Sequence, residues 1–292
     1  MPTETQIDAL LPPEMARRAE EVGVRKAALR TDAMLTLAVL AGAFIGLGAM
    51  LSTIALTGTS GSWPFGASRL FAGGAFSLGL ILVVVGGAEL FTGNSLLVMA
   101  WCSRRIGASA VLRSWVIVYF GNFVGALGTA ALCFATGQYQ SARGAVGTTA
   151  ISIANGKLQH TFMELVALGV LCNALVCLAV WLSYSARSTV DRILAVVPPV
   201  VAFVAAGFEH SVANMYFFPL ALMIRSFAPQ EFWSAVATTP AAYPSLTWRA
   251  FLLDNLLPVT LGNLLGGALL VGLVYWFVYS HTRAPAASHR DD

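Results

Sequence analysis

Long stretches without a charged side chain recur along the chain, and their lengths fit a bilayer. Ala33 to Leu56 predicts the first membrane span, Ser114 to about Gly137 the third, Leu165 to Ala186 the fourth and Asn255 to Ser280 the last. The second, Leu70 to Ser103, runs for 34 residues with Glu89 as its only charge. The fifth, Ile193 to Ile224, runs for 32 residues interrupted only by Glu209 and the titratable His210. Between the spans, 138–160 and 226–248 are rich in Gly, Ser, Thr, Pro and Tyr and read as loops. The division is therefore an N-terminal segment 1–31, a membrane domain 32–281 and a short tail 282–292.

Two of these segments are too long for a straight crossing. An unbroken helix of 34 residues would reach about 51 Å, against a hydrocarbon core of about 30 Å. Each contains a reason to break: Gly86, Gly87 and Gly93 surround Glu89, while Gly207, Glu209, His210 and Pro219 follow one another in the fifth. The two breaks also match. Glu89 precedes Asn94 by five residues, as Glu209 precedes Asn214, and the spans that follow carry GNFVG at Gly121 to Gly125 and GNLLG at Gly262 to Gly266. Three spans per half give the halves opposite orientation. The expected fold is all-α and integral to the membrane: six transmembrane helices in an inverted 3+3 repeat with broken second and fifth spans.

Composition agrees with this class. Hydrophobic residues make up 57% of the 292 residues and charged residues 11%, against about 25% charged in soluble domains. With the N-terminus inside, twelve of the 17 basic residues flank spans on the inner side and five on the outer, so both termini are expected in the cytoplasm. The first 31 residues mix Arg17, Arg18, Arg25, Lys26 and Arg30 with Glu14, Glu20 and Glu21, too charged for a signal-peptide core. Met15, Ala19, Val22 and Ala27 fall near helical spacing there, so a short amphipathic helix is expected. Cys102, Cys133, Cys172 and Cys177 form no C-x-x-C pair and read as packing residues. With no metal-ligand cluster, no nucleophile beside a base and no cofactor fingerprint, the pattern argues against an enzyme.

The chemistry concentrates at the breaks. Unwound backbone at membrane depth is tolerated where it lines a cavity or is buried in protein. Each break frees helix-terminal N–H groups that favour an anion, and Thr92 and His210 add side-chain donors. Glu89 and Glu209 read as groups tying the broken backbone together, with a proton or cation relay as the rival reading. His210 is expected to act on the permeating species rather than only to fill space. Lys157 is either a snorkelling interfacial cation or an attractor of anions at a vestibule. The Gly-x-x-x-Gly pairs at Gly121 and Gly262 read as close-packing faces.

These motifs resemble the formate/nitrite transporter family. GGAELFTGN at Gly86 to Asn94, GVLCNALVCLA at Gly169 to Ala179 and GFEHSVANMYFFP at Gly207 to Pro219 are similar to three of its signatures, and the likeness runs from about Ala33 to Tyr279. FEHSVANM and LPVTLGNLLGGALLVGLVYW look most like the formate-channel branch. The resemblance implies an aquaporin-like protomer in a homopentamer in the bacterial inner membrane, with one pore per protomer, although no Asn-Pro-Ala pair is present. It implies pathway residues Thr92, Lys157, Asn173, His210 and Asn214, an inner constriction at Leu80, Leu90 and Phe91, and an outer one at Phe76 and Phe203. The implied substrates are formate and related small monovalent anions such as nitrite, acetate, lactate or hydrosulfide. No cofactor and no nucleic acid partner is expected.

Overall fold

The computed structural model describes residues 9–281, all-helical with connecting turns and no strand among the described residues. The tail 282–292 and the start of the N-terminal segment lie outside the described residues. Among the described residues six helices are long and apolar enough to cross a membrane: α2 (Thr31–Leu56), α3 (Phe65–Gly86), α5 (Ala108–Ala135), α7 (Phe162–Ser185), α8 (Thr189–Ala206) and α11 (Ala250–Tyr279). Both over-long segments are broken. After α3 the chain unwinds through Glu89 and resumes as a 3-10 turn, Gly93–Leu96, leading into α4 (Leu97–Cys102). After α8 it unwinds through Glu209 and resumes as α9 (Ser211–Phe227). Gly87 and Gly207 stop α3 and α8 with φ of +82° and +77°, a left-handed geometry that only glycine adopts cheaply.

The expected N-terminal helix forms as α1 (Pro12–Ala27). Its buried face is Met15, Ala16, Ala19, Glu20 and Gly23, and it lies on the membrane domain rather than apart from it. A Cβ at Gly23 would come within 2.9 Å of the Ala100 Cβ, so glycine lets α1 lie directly on α4. Glu20 accepts a hydrogen bond of 2.6 Å from Ser280 at the end of α11, and Arg105 lies 3.6 Å from the same carboxylate. Trp181 and Tyr275, stacked with ring centroids 4.2 Å apart, belong to the same cluster as Met15, Ala16 and Ala19.

The two stretches read as loops are not wholly loops. Residues 138–160 contain α6 (Ala145–Lys157), and 226–248 contains α10 (Gln230–Ala235). The Gly and Thr content of α6 hides its apolar stripe: Val146, Gly147, Ala150, Ile151 and Ala154 are buried at helical spacing. Tertiary packing overrides weak propensity there. Gly147 faces the ring of Phe232 on α10, where a Cβ would approach to 2.8 Å, so the two short helices hold each other.

Where spans pack, glycine sets the distance. A Cβ at Gly125 of α5 would run into the Val39 carbonyl of α2, and one at Gly266 of α11 into the Val170 carbonyl of α7. Large apolar side chains such as Leu70, Phe71, Leu112, Val116, Phe120 and Leu132 are exposed. On a water-facing surface they would be costly; on a surface facing lipid or another membrane subunit they are ordinary.

Candidate functional site

Each break is held by an asparagine from the span that follows. Asn122 of α5 donates from Nδ2 to Ala38 O (2.8 Å) and Glu89 O (2.9 Å), and its Oδ1 accepts from Phe91 N at 2.9 Å. Asn263 of α11 repeats this bond for bond: Nδ2 donates to Gly169 O and Glu209 O, both at 2.9 Å, and Oδ1 accepts from Ser211 N at 2.9 Å. The backbone N–H of Glu89 donates to Leu37 O, and that of Glu209 to Leu168 O. Peptide groups stripped of helical partners are thereby satisfied without water.

The carboxylates repeat as well. Glu89 accepts from Asn94 Nδ2 at 2.8 Å, and Lys26 Nζ from α1 sits 3.0 and 3.1 Å from its two oxygens. Glu209 accepts from Asn214 Nδ2 at 2.7 Å and from Lys157 Nζ, at the end of α6, at 2.7 Å. The chain's two lysines therefore each neutralise one buried glutamate. This corrects the interfacial reading of Lys157: its ammonium turns inward, with a side chain 16% exposed, because a buried carboxylate needs a partner more than the ammonium needs water. The copies differ in detail. Lys26 also donates to Asn94 Oδ1 at 2.9 Å. Among the described residues Asn214 Oδ1 has no hydrogen-bond partner, and Lys157 instead lies 5.5 Å from the centre of the Phe217 ring.

His210 joins the two breaks. As N-cap of α9 it accepts the Ala213 N–H at Nδ1 (3.1 Å), and its Nε2 lies 3.1 Å from Thr92 Oγ1. A ring nitrogen that accepts carries no proton, so the neutral ring is the Nε2–H tautomer, donating to Thr92. The His210 ring stacks on Phe203 at 5.9 Å, and Phe203 meets Phe76 edge-on at 5.7 Å. All four side chains are at most 3% exposed.

Asn173 donates to Thr92 O (3.3 Å), Ser95 Oγ (3.1 Å) and Asn263 O (2.6 Å), bracing the first break against α11. Phe91 packs edge-on against Tyr119 at 4.8 Å. Leu80 and Leu90 line a cavity of about 710 Å³ between α1 and the first break, together with Arg17, Arg18, Lys26 and Glu89.

Sequence reasoning missed Lys26, Asn122 and Asn263. A signal for the asparagines is present, since GNFVG and GNLLG match, but the pattern gives a role to their glycines alone. For Lys26 it is the parallel placement of both lysines shortly before the first span of each half.

Comparison with known proteins agrees with this geometry. Residues 13–277 match the formate/nitrite transporter family. The chain is 48% identical to the formate channel FocA of Escherichia coli over 96% of its length and 98% of that protein. It is 40% identical to FocA of Haemophilus influenzae, covering 91% and 93%. Among solved structures, a pentameric formate channel with formate bound superposes with a TM-score of 0.80 at 41% identity, over 85% of this chain and 97% of that one. With paired helix breaks in a six-span membrane protein and this likeness along nearly its whole length, the chain belongs to the formate/nitrite transporter family.

Proposed function

We propose that the protein is a channel for formate and related small monovalent anions, and that the pathway crosses the membrane between the two breaks. The observation that carries this reading is the Thr92–His210 contact, which puts two donors where two broken helices meet, in a chain whose relatives are formate channels. From the α1 side an anion passes Leu80, Leu90 and Phe91, meets Thr92 and His210, and leaves past Phe76 and Phe203. Asn173 braces the backbone of the pathway, and Asn214 and Lys157 together hold the Glu209 carboxylate beside it, Lys157 cancelling its charge. The halves act as an inverted repeat, a reading supported by the matched bonds of Asn122 and Asn263. Homopentameric assembly follows the solved relative, in a bacterial inner membrane with both termini in the cytoplasm; 1–31 and 282–292 flank the membrane domain there.

The donors act on charge. With the His210 Nε2–H donated to Thr92, the Thr92 hydroxyl hydrogen is left for an anion, and an anion that enters between the two takes both donors in a dry site where such bonds are strong. In water an imidazolium would keep its proton against an acid of formic acid's strength by roughly 4 kcal/mol. Between apolar rings both charged partners lose hydration worth several kcal/mol per ion, so sharing a proton to give the neutral acid becomes competitive. A relay through Glu89 and Glu209 is less favoured, because each carboxylate is already paired with a lysine and an asparagine. The test is formate uptake into liposomes carrying the purified protein, compared with empty liposomes and with nitrite as competitor. No formate flux above the empty vesicles would overturn the proposal.

A further inference from the structure

Cancelling Lys26 and Lys157 leaves the pathway's cationic help unaccounted for, and α3 supplies another cation. Arg69 begins the helix face that carries Gly73 and Phe76, one and two turns further on. At Gly73 that face is so close to α8 that a Cβ would meet the Val201 backbone at 2.9 Å. Arg69 lies about 10 Å beyond Phe76 along the helix, on the side away from α1. Its Nη2 donates to Val204 O at 2.7 Å and its Nε to Ala205 O at 3.3 Å, and a Cβ on Gly207 would stand 3.3 Å from Nη2. The guanidinium therefore rests on the last turn of α8, at the edge of the second break, where the helix dipole favours a cation.

Both acceptors are neutral carbonyls. Among the described residues Arg69 forms no ion pair, unlike Lys26 and Lys157. Two of its five N–H donors are used, and the side chain is half-buried. The Glu209 carboxylate acts on it electrostatically but is itself paired with Lys157, so the guanidinium is fixed in place outside any ion pair and able to donate further. Its planar fork suits a carboxylate.

We propose that Arg69 is an anion-docking group at the mouth of the pathway away from α1, collecting carboxylates and similar monovalent anions before they meet the Phe76–Phe203 pair. The proposal rests on the conducting reading above. A fixed cation outside any ion pair at a low-dielectric mouth raises the local anion concentration and loses that effect in salt.

The test reads the local potential directly. Gly66, exposed and three residues before Arg69, has nothing within 4 Å of an added Cβ, so Gly66→Cys offers a reporter thiol on the same face. Full-length protein in liposomes is reacted with an anionic sulfonate and a cationic trimethylammonium methanethiosulfonate, using protein without the Gly66 change to correct for the native cysteines. Arg69→Gln should lower the anionic-to-cationic rate ratio about fivefold at low ionic strength, with the difference vanishing near 1 M salt. Arg69→Lys should keep the ratio. Formate permeability should fall with Arg69→Gln in low salt and recover with Arg69→Lys. A rate ratio that ignores Arg69→Gln overturns the proposal. So does a flux loss that is equal in high salt and shared by Arg69→Lys, which would make Arg69 only a latch between α3 and α8. If the native protein passes no formate, the conducting reading fails, while the thiol rates still decide whether Arg69 gathers anions.

Discussion

Thr92 and His210 stand 118 residues apart in sequence and 3.1 Å apart in space, each the donor-bearing side chain of its own broken helix. Since Ala213 N–H occupies His210 Nδ1, Thr92 Oγ1 accepts from Nε2 and its own hydrogen is left to point elsewhere. Protonating the ring at Nδ1 would set two N–H groups against each other. Protonation therefore costs the N-cap bond, a loss that a bound anion can offset.

His210→Asn should separate capping from proton chemistry. Asparagine is a good N-cap and can accept the Ala213 N–H, so the thermal midpoint should change little, whereas His210→Leu should lose about 1 kcal/mol with the cap. If His210 shares a proton with the bound anion, formate flux through the native protein rises as pH falls from about 8 to 5, because each passage as the neutral acid takes a proton from solution. The asparagine variant should conduct with a flat profile. Proteoliposome uptake at several pH values decides: an unchanged rate and profile would make the histidine purely structural.

Lys26→Met should be more harmful than the loss of a surface charge. It strands Glu89, whose side chain is 6% exposed, and breaking one partner of a buried pair costs about 3–5 kcal/mol. It also frees α1 from the first break. Adding Glu89→Gln removes the stranded charge while keeping an acceptor for Asn94, so the double variant should recover most of the lost thermal stability. Lys157→Met with Glu209→Gln should behave alike. A double variant no more stable than the single would show that the lysine does not act through the carboxylate.

How far the sequence foretold this structure depends on what each signal encodes. Hydropathy placed the six spans within a few residues, because length and polarity are what a bilayer selects. The breaks were legible because glutamate, asparagine and glycine at mid-membrane are costly in an unbroken helix facing lipid and tolerable where the helix opens inside protein. The ion pairs were not. Lys26 sits in a charged segment where a lysine looks like any other surface residue, and nothing local says that it reaches Glu89, 63 residues on. Nor was α6 legible, since its helical stripe is built of small residues whose burial depends on α10 and α9. Asn122 and Asn263 lay in matched motifs, but their three bonds go to backbone atoms, which leave no trace in side-chain pattern.

Gly125→Ala should fail where Gly128→Ala succeeds. Both are in α5, yet an added Cβ at Gly125 would overlap the Val39 carbonyl, while at Gly128 nothing lies within 4 Å. Forcing α2 and α5 apart costs about 1–3 kcal/mol, more if the backbone cannot yield. The expected outcome is a lower thermal midpoint and lower yield in detergent for Gly125→Ala, with Gly128→Ala close to native. Equal behaviour would mean that the α2–α5 approach is looser than the structure gives.

Asn122→Ala tests whether the repeated clamp is what keeps each break in shape. The substitution leaves Phe91 N–H, Ala38 O and Glu89 O without the partners they have now, in a place that water does not reach. A buried polar group stripped of its bond costs about 1–3 kcal/mol, so the loss should be felt locally before the whole fold gives way. The damage should be confined to the first break: hydrogen exchange should speed up across 87–96 and stay near native across 207–214. Asn263→Ala should do the reverse, since its partners are Ser211 N, Gly169 O and Glu209 O. Asn122→Asp is the sharper variant, because it keeps the acceptor for Phe91 but turns a carboxylate toward two carbonyl oxygens; it should loosen the first break at least as much as alanine. Both changes should alter formate permeability, as Thr92 and His210 no longer meet at 3.1 Å when either break relaxes. If exchange rises equally in both breaks for either single variant, the two clamps are one cooperative unit, and the picture of two separately held halves meeting at His210 is wrong.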